Sequence, residues 1–222
     1  MRVIVSGATG FLGGVLCRRL TAADNEVTGL GRDAEKGNRV KEMGVTFVPG
    51  DLGDPPNARS MEAVGQADSF IHAAALSSAW GTRADFMRAN VIGTRHALKL
   101  ARAVGARRFV FLSSTSVYFR FADQELLRED APLPSPVNFY AESKQLAEIE
   151  VLAAKDLSPI VLRPRAIYGA GDTALLPRLI RAARQGSLPL MRGGLARTNL
   201  THVEDVARAI ELAVEPQEVV LG

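Results

Sequence analysis

Short apolar segments alternate with longer amphipathic segments along the chain, and this alternation restricts the fold strongly. The apolar segments predict strands at Val3–Ser6, Glu26–Leu30, Val45–Pro49, Ser69–His72, Phe109–Ser113 and Ile160–Arg163. The intervening segments predict helices at Phe11–Thr21, Asp33–Met43, Met61–Val64, Ala84–Val104 and Phe139–Ala154. Short apolar strands that are each followed by a helix indicate a parallel sheet covered on both faces. Right-handed crossovers then give a doubly wound α/β fold.

A glycine-rich loop joins the first predicted strand to the first predicted helix. Gly7 permits a tight turn, Gly10 lets a pyrophosphate approach the backbone, and Gly13 lets the helix pack closely on the strand. Free amides and the helix dipole at this end favour an anion. Glycines are common in turns, but the strand before and the helix after supply the context that the motif requires. The sequence therefore predicts a Rossmann fold whose nucleotide loop contains Gly7, Thr9, Gly10, Phe11, Leu12 and Gly13.

The end of the second strand distinguishes NAD from NADP. An acidic residue there would accept hydrogen bonds from the ribose 2′-hydroxyl of NAD. This chain has Gly31 at that point, followed by Arg32, which can pair with a 2′-phosphate. NADP is therefore the preferred cofactor, although Asp33 keeps NAD open and Arg32 can also be read as a surface residue.

The third strand is followed by Asp51 and Leu52. An aspartate at this point can reach the adenine edge of the dinucleotide. The same aspartate can equally be read as a turn residue, because it lies within a short Gly- and Asp-rich stretch.

Tyr140 and Lys144 lie four residues apart on a predicted helix and therefore on one face. Free tyrosine has a pKa near 10, and a fixed cation nearby favours the phenolate. The pair can therefore serve as a general acid and base, with the lysine also able to hold the nicotinamide ribose. An exposed helix pair is the alternative interpretation of this spacing.

Four hydroxyl side chains, Ser113 to Ser116, end the fifth strand. Ligands bind at the carboxyl ends of strands in such sheets, so one hydroxyl can orient a substrate carbonyl beside Tyr140. The other hydroxyls are interpreted as turn caps.

The pattern loosens after Arg163. Helices are predicted at Leu175–Gln185 and Val203–Val214, with a Gly- and Arg-rich loop over Gly186–Asn199. Residues 219–222 resemble the opening of another strand, so that either a strand ends here or the sequence is a truncated version of a longer one. We expect a nucleotide-binding domain over residues 1–165, and over 166–222 a small, shortened substrate lobe whose last helix packs on the same domain.

Several other classes of function are not supported by the sequence. No run approaches the roughly 18 apolar residues of a membrane span, and the N-terminus begins directly with a strand pattern. The net charge of +3 is small and scattered, which argues against nucleic acid. Cys17 is the single cysteine, and the three histidines lack metal-ligand spacing. We therefore expect a cytoplasmic protein without a metal.

Together the motifs resemble those of the extended short-chain dehydrogenases/reductases, in the NAD-dependent epimerase/dehydratase group. Beyond the glycine loop, Asp51-Leu52 and the segment from Tyr140 to Lys144, the motifs that carry this resemblance are 72–75 (HAAA), 90–94 (NVIGT), 113–118 (SSTSVY), 163–169 (RPRAIYG) and 202–206 (HVEDV). They follow the order of the family from Met1 to about Val214. Two departures are Gly31 in place of an acid and a short C-terminal region.

The resemblance implies roles for individual residues. Tyr140 would be the general acid/base, Lys144 its partner and Ser114 the hydroxyl that orients the carbonyl, with Thr115 as the alternative. Asn90 would support the site and bind the cofactor, and Ala73, Ala74 and Ala75 would line the cofactor groove. Arg163 would lead to the nicotinamide end. Residues 167–169 and Arg197 match positions that often face the substrate.

The implied activity is a dehydrogenase or reductase that transfers hydride between a nicotinamide and a carbonyl or alcohol. A nucleotide-sugar epimerase or dehydratase is the first alternative, and the Ser114-Thr115-Ser116 run argues against the dehydratase branch. A non-catalytic NAD(P)-binding regulatory protein is the second alternative, against which the tyrosine–lysine pair argues. In many relatives, helices like those predicted at Ala84–Val104 and Phe139–Ala154 pair across a dimer interface. Apolar Leu146 and Ile149 permit a homodimer here.

Overall fold

The computed structural model describes residues 1–78, 80–186 and 191–215, and in them a six-stranded parallel sheet has the order β3-β2-β1-β4-β5-β6. The strands are β1 (Arg2–Ser6), β2 (Glu26–Gly31), β3 (Thr46–Pro49), β4 (Ser69–His72), β5 (Arg108–Leu112) and β6 (Pro159–Leu162). The helices along this sheet are α1 (Phe11–Ala22), α2 (Ala34–Lys41), α3 (Ala58–Val64), α4 (Arg83–Phe86), α5 (Gly93–Ala103) and α6 (Phe139–Ala153). The doubly wound Rossmann fold is confirmed. The strand opening expected at 219–222 and residues 187–190 of the predicted loop lie outside the described residues.

Both faces of the sheet are buried, as the uniformly apolar strands predict. On central β1, Val3 and Val5 point into a core shared with α1, whereas Ile4 points into a core shared with α5 and α6. All three side chains are almost inaccessible to solvent. Each such burial stabilises the fold by roughly 1.5–3 kcal/mol. Helices on both sides are therefore required to cover one strand.

The long helix expected over residues 84–104 is interrupted. Between α4 and α5 the chain forms a π-helical turn, Met87–Ile92. Inside this wider turn the Thr94 hydroxyl donates to the carbonyl of Asn90 at 2.6 Å. Such insertions are common at functional sites because they redirect a side chain. Here the buried side chain of Asn90 is turned toward the loop that follows β4.

The C-terminal part contains a second, two-stranded parallel sheet of β7 (Ile167–Tyr168) and β8 (Thr201–His202). Helices α7 (Leu176–Arg184) and α8 (Val203–Val214) complete the described elements. Strands of two residues are too short to produce a sequence pattern, so they were not predicted. Helix α8 returns to the main sheet and buries apolar residues against α1. The division at residue 165 stays a prediction. None of the described helices is long and apolar enough to cross a membrane.

Close packing between α1 and the loop before it fixes the position of this helix. Gly7 has a φ of +76°, which L side chains rarely adopt. A Cβ at Gly13 would lie 2.0 Å from the carbonyl oxygen of Gly7. A side chain at Gly13 would therefore push the helix away from the loop, whereas a side chain at Gly7 would meet the backbone of Ala74 at 2.8 Å.

We expect Gly13→Ala to destabilise the protein by about 3 kcal/mol or more, because the helix must move to accommodate the methyl group. The neighbouring Gly14→Ala is the control, since its Cβ meets its nearest neighbour, the Ala8 oxygen, at 3.9 Å. Because alanine favours helix over glycine, that control should gain up to about 1 kcal/mol. Urea denaturation measures both, and equal stability of the two variants would contradict the packing argument.

Candidate active site

A groove of about 610 Å³ crosses the carboxyl ends of the central strands. This volume lies within the range of small-molecule and cofactor sites, which is roughly 300–1,000 Å³. The groove lies where the strand order reverses between β1 and β4, the usual ligand position in open α/β sheets.

The groove brings together most of the residues singled out in the sequence. The lining includes Gly7, Thr9, Gly10, Phe11, Leu12, Gly13, Arg32, Asp51, Leu52, Ala73, Ala74, Ala75, Ser114, Tyr140 and Lys144. Two expected cofactor residues, Asn90 and Arg163, are not in the lining. Their side chains are committed to other protein groups, as described below.

The phosphate end of the groove has the properties needed to hold an anion. Helix α1 begins after Gly10 without a side-chain cap and without an acidic residue in its first turn. Its first amides and the helix dipole therefore present partial positive charge to the groove. Further along, the buried hydroxyl of Ser113 lines the groove and finds no hydrogen-bond partner among the described residues. A bound polar ligand would satisfy that hydroxyl, so these residues fit a dinucleotide.

Two charged residues, Arg32 and Asp33, follow the end of β2, and only Asp33 forms an ion pair among the described residues. Arg32 is exposed at the groove, and no ion pair joins it to any residue in the described part of the chain. Asp33 caps α2, because its carboxylate accepts from the Lys36 amide at 3.0 Å and pairs with the Lys36 ammonium at 3.0 Å. A Cβ at Gly31 would meet the Thr9 hydroxyl at 2.8 Å. Arg32 therefore lines the groove as a cation, and its charge contributes to the lowered pKa of Asp51.

Asp51 lines the groove and is also a turn residue. Its carboxylate accepts from the Gly53 amide at 2.8 Å and pairs with Arg88 at 3.1 Å. Partial burial would raise the pKa of Asp51, but the hydrogen bonds of Gly53 and Arg88 outweigh it and hold that pKa below its ordinary value. The carboxylate is therefore ionised and oriented before any ligand binds.

Tyr140 and Ser114 approach each other across the groove. Burial raises the pKa of Tyr140, and a hydrogen bond with Ser114 opposes that rise. Ser114 is itself oriented at the start of the 3-10 turn Thr115–Tyr118, where its oxygen accepts from the Ser116 amide at 3.1 Å. The same hydroxyl donates to the Ser116 hydroxyl at 3.0 Å. Both hydroxyls therefore line the same part of the groove, where they could both contact a carbonyl oxygen.

Lys144 is 1% exposed, and its ammonium donates to the Leu112 carbonyl at 2.7 Å. It also lies 4.1 Å from the centre of the Phe111 ring. Burial lowers the pKa of Lys144 from 10.5 to about 7, whereas the charge of Glu148 opposes that fall. The lysine therefore changes charge near neutral pH, one helical turn after Tyr140.

A buried chain of hydrogen bonds links the glycine loop to the loop after β4. The Ser6 hydroxyl contacts His72 Nδ1 at 2.7 Å, and His72 Nε2 contacts the Thr94 hydroxyl at 3.1 Å. Because the Thr94 hydroxyl already donates to Asn90, it accepts from His72, so the imidazole carries its proton on Nε2. Burial lowers the pKa of His72 to about 3. The ring is therefore neutral at neutral pH and accepts from Ser6.

Asn90 extends this chain to the helix that carries Tyr140. Its Oδ1 accepts from the Leu76 amide at 2.8 Å, and its Nδ2 donates to the Leu76 carbonyl and to the Ser143 hydroxyl. Ser143 in turn donates to the carbonyl of Tyr140 at 2.9 Å. Asn90 therefore lies behind the groove without lining it, and its role at the site stays a prediction.

Arg163 faces away from the groove toward the interior behind Lys144. Its guanidinium donates two hydrogen bonds to Glu148, at 2.9 and 2.7 Å. It also contacts the Tyr118 hydroxyl and donates to the carbonyl of Glu129. These partners take four of its five N–H donors, and Arg163 does not line the groove, so the structure does not support the expected contact of Arg163 with the cofactor.

Several lining residues were not anticipated. Ser113 was interpreted as a turn cap, whereas Ser77 and residues 172–174 were not considered. The orphaned hydroxyl of Ser113 could not be recognised without the fold. The groove side of residues 172–174 depends on the placement of the segment after β7, for which the sequence carries no periodic signal.

Comparison with known proteins agrees with the fold and the groove. Residues 3–221 match the profile of the NAD dependent epimerase/dehydratase family. The chain is 38% identical over 225 residues to 2-alkyl-3-oxoalkanoate reductase of Stenotrophomonas maltophilia (strain K279a), covering 97% of this chain and 66% of that protein. It is 39% identical over 206 residues to ceramide reductase of Caulobacter vibrioides (strain NA1000 / CB15N), covering 92% of this chain and 58% of that protein.

Among solved structures, UDP-glucuronic acid 4-epimerase from Bacillus cereus, in complex with UDP-glucuronic acid and NAD, superposes with a TM-score of 0.79 at 21% identity. That superposition covers 100% of this chain and 76% of the epimerase and supports the fold alone. The chain spans about two thirds or less of the length of the two reductases. From the family profile and the two reductases, the chain belongs to the NAD dependent epimerase/dehydratase family, within the extended short-chain dehydrogenases/reductases.

Proposed function

We propose that this chain is the catalytic part of an NAD(P)-dependent reductase that converts a substrate carbonyl to an alcohol. The observation that carries the proposal is the meeting of Tyr140, Ser114 and buried Lys144 in the groove that also contains the glycine loop. Support comes from relatives at 38% and 39% identity, whose names describe reductases. The substrate class that those names suggest is a carbonyl on an apolar chain, such as a 2-alkyl-3-oxoalkanoate.

Each residue has a definite task in this reaction. When bound, the nicotinamide supplies the hydride for the carbonyl carbon. Tyr140 donates its phenolic proton to the carbonyl oxygen, and the Ser114 hydroxyl turns away from Ser116 to donate a hydrogen bond to the same oxygen. Lys144, in its charged form, stabilises the phenolate that remains. Lys144 would hold the nicotinamide ribose, and the amides of the glycine loop would hold the phosphates.

A nucleotide-sugar epimerase is the second candidate. Its support is the superposition on the UDP-glucuronic acid epimerase, at an identity of 21%. Gly31 stands where NAD-using members have an acid, and Arg32 follows it. Both residues favour an NADP that is exchanged in each turnover and argue against an NAD that stays bound, as in an epimerase. The tyrosine–lysine pair argues against a regulatory protein without turnover.

NADP is the preferred cofactor in this proposal. The 2′-phosphate would pair with Arg32, which lies at the groove. Asp33 is the acid that could bind the ribose of NAD, but its carboxylate caps α2.

We further propose a cytoplasmic homodimer. Leu146, Ile149 and Leu152 recur at intervals of three on α6 and are all exposed, Ile149 by 64%. Spacing of this kind places them on one face of the helix. A second copy of the same face would cover them, as in an isologous contact. The buried, reduced Cys17 is compatible with the cytoplasm.

Tyr140→Phe should reduce NADPH-dependent reduction of a 2-alkyl-3-oxoalkanoate by at least about 100-fold, because the proton donor is lost. The cofactor should still bind with an unchanged Kd, measured by NADPH fluorescence. Ser114→Ala should remove the hydrogen bond from Ser114 to the carbonyl oxygen and lower kcat by about 10–100-fold. Undiminished turnover of the Tyr140→Phe protein would overturn the assignment.

Arg32→Ala should weaken NADPH binding by about tenfold, the effect of about 1.4 kcal/mol, and leave NADH binding unchanged. Calorimetric titration with each dinucleotide measures the difference. Arg39→Ala is the matched control, since Arg39 is an exposed arginine on α2 and does not line the groove. Equal losses for both dinucleotides would contradict recognition of the 2′-phosphate.

Ile149→Asp should convert the dimer to a monomer, because a carboxylate would be buried at the centre of the contact. Light scattering after size-exclusion chromatography gives the mass. Leu212→Asp provides the control, because Leu212 is 46% exposed on α8, away from this face. A wild-type monomer would end the proposal of a dimer.

A further inference from the structure

Two charged side chains are buried one turn apart on α6. Lys144 is 1% exposed and Glu148 is 2% exposed. Glu148 accepts two parallel hydrogen bonds from Arg163, whose own side chain is 18% exposed. Removing such a pair from water costs desolvation free energy. This cost offsets much of the free energy gained from the attraction between the two charges. The position of the pair behind the lysine therefore needs a reason beyond the stability of the fold.

The Glu148–Arg163 ion pair connects α6 to the end of β6, next to the strand that binds Lys144. Arg163 directly follows β6, and Leu162 at the end of β6 is the register partner of Leu112 on β5. The Leu112 carbonyl is the group that accepts from the Lys144 ammonium. Lys144 and Glu148 are therefore each tied, from the same helix, to the adjacent ends of β5 and β6.

The buried charges around Lys144 come from a small set of elements packed against α6. His72 on β4 is neutral, because burial lowers its pKa to about 3. Tyr140 on α6 and Tyr118 in the 3-10 turn are phenols beside the lysine and Arg163 respectively. The ion pairs Arg83–Glu142 and Arg95–Glu150, which face α4 and α5, lie at the surface, where solvent screens them. Glu148 is therefore the buried charge that acts on the lysine, and Arg163 is the cation paired with that carboxylate.

We propose that Glu148 and Arg163 are positioning residues that hold Lys144 and set the charge under which Tyr140 exchanges its proton. This inference rests on the proposed function, since it gives Tyr140 and Lys144 the roles stated there. Neither residue lines the groove, so both act through the lysine.

The sign of the effect follows from the charges. Removing the negative charge of Glu148 favours proton loss from both Lys144 and Tyr140. The first proton of this coupled pair then leaves at a lower pH. Removing the positive charge of Arg163 has the opposite effect. Damage to packing alone would not move the titration in opposite directions for the two variants.

The first test uses the protein without cofactor and follows tyrosinate absorbance against pH. The contribution of Tyr140 is obtained by subtracting the Tyr140→Phe version of each variant. We expect the titration to move down by about one pH unit in Glu148→Gln and up by about one in Arg163→Met. The double variant should return close to the wild-type value. It also avoids a buried unpaired charge, so it keeps the test usable if a single variant fails to fold.

The second test measures kcat/KM for NADPH-dependent reduction of a 2-alkyl-3-oxoalkanoate. Its alkaline limb should move in the same directions as the absorbance. Glu150→Gln is the matched control, because Glu150 lies on the same helix in an exposed ion pair and should leave the limb in place.

The two proposals fail separately. Absent reduction by the wild type would reject the proposed function, while the absorbance titration would still test the ion pair. Shifts of Glu148→Gln and Arg163→Met in the same direction, or no shifts, would overturn the inference.

Discussion

One unbroken chain of buried hydrogen bonds holds the two halves of the groove in register. It begins at Ser6, beside the glycine loop, and passes through His72 and Thr94 to Asn90. From Asn90 it continues through Ser143 to the backbone of Tyr140. Each donor in this chain has an acceptor, which is the condition under which buried polar networks rigidify a protein and do not weaken it. The strand before the glycine loop and the helix that carries Tyr140 are consequently linked through the protein interior.

Lys144 shows how the same interior prepares for chemistry. Its ammonium is removed from water, which lowers its pKa to about 7, and is retained there by the Leu112 carbonyl. In such surroundings an interaction between charges is much stronger than at the surface. In the proposed reaction, the buried lysine would therefore act more strongly on the phenol of Tyr140 than an exposed lysine would. Surface ion pairs such as Arg95–Glu150 have no comparable influence.

The sequence was sufficient wherever the signal is local. The strand limits agree within a residue or two, because a parallel sheet covered on both faces demands short apolar runs between turns. The glycine loop and the Tyr140–Lys144 spacing were equally readable, since each motif lies within eight residues. The π-helical turn, the short β7 and β8, and the partners of Arg163 could not be predicted. Each depends on contacts between distant segments, such as Arg163 with Tyr118, 45 residues apart.

The crowding at the end of β2 limits how the proposed preference for NADP could change. A carboxylate at position 31 is the simplest route toward NAD, but any side chain there must enter the space of the Thr9 side chain and approach the Phe47 ring at 3.3 Å. Thr9 belongs to the nucleotide loop, so the acid would distort the loop whose ligand it is meant to select. An evolutionary or engineered conversion would first require a smaller residue at position 9. The two substitutions are therefore epistatic, and their order along a mutational path is constrained.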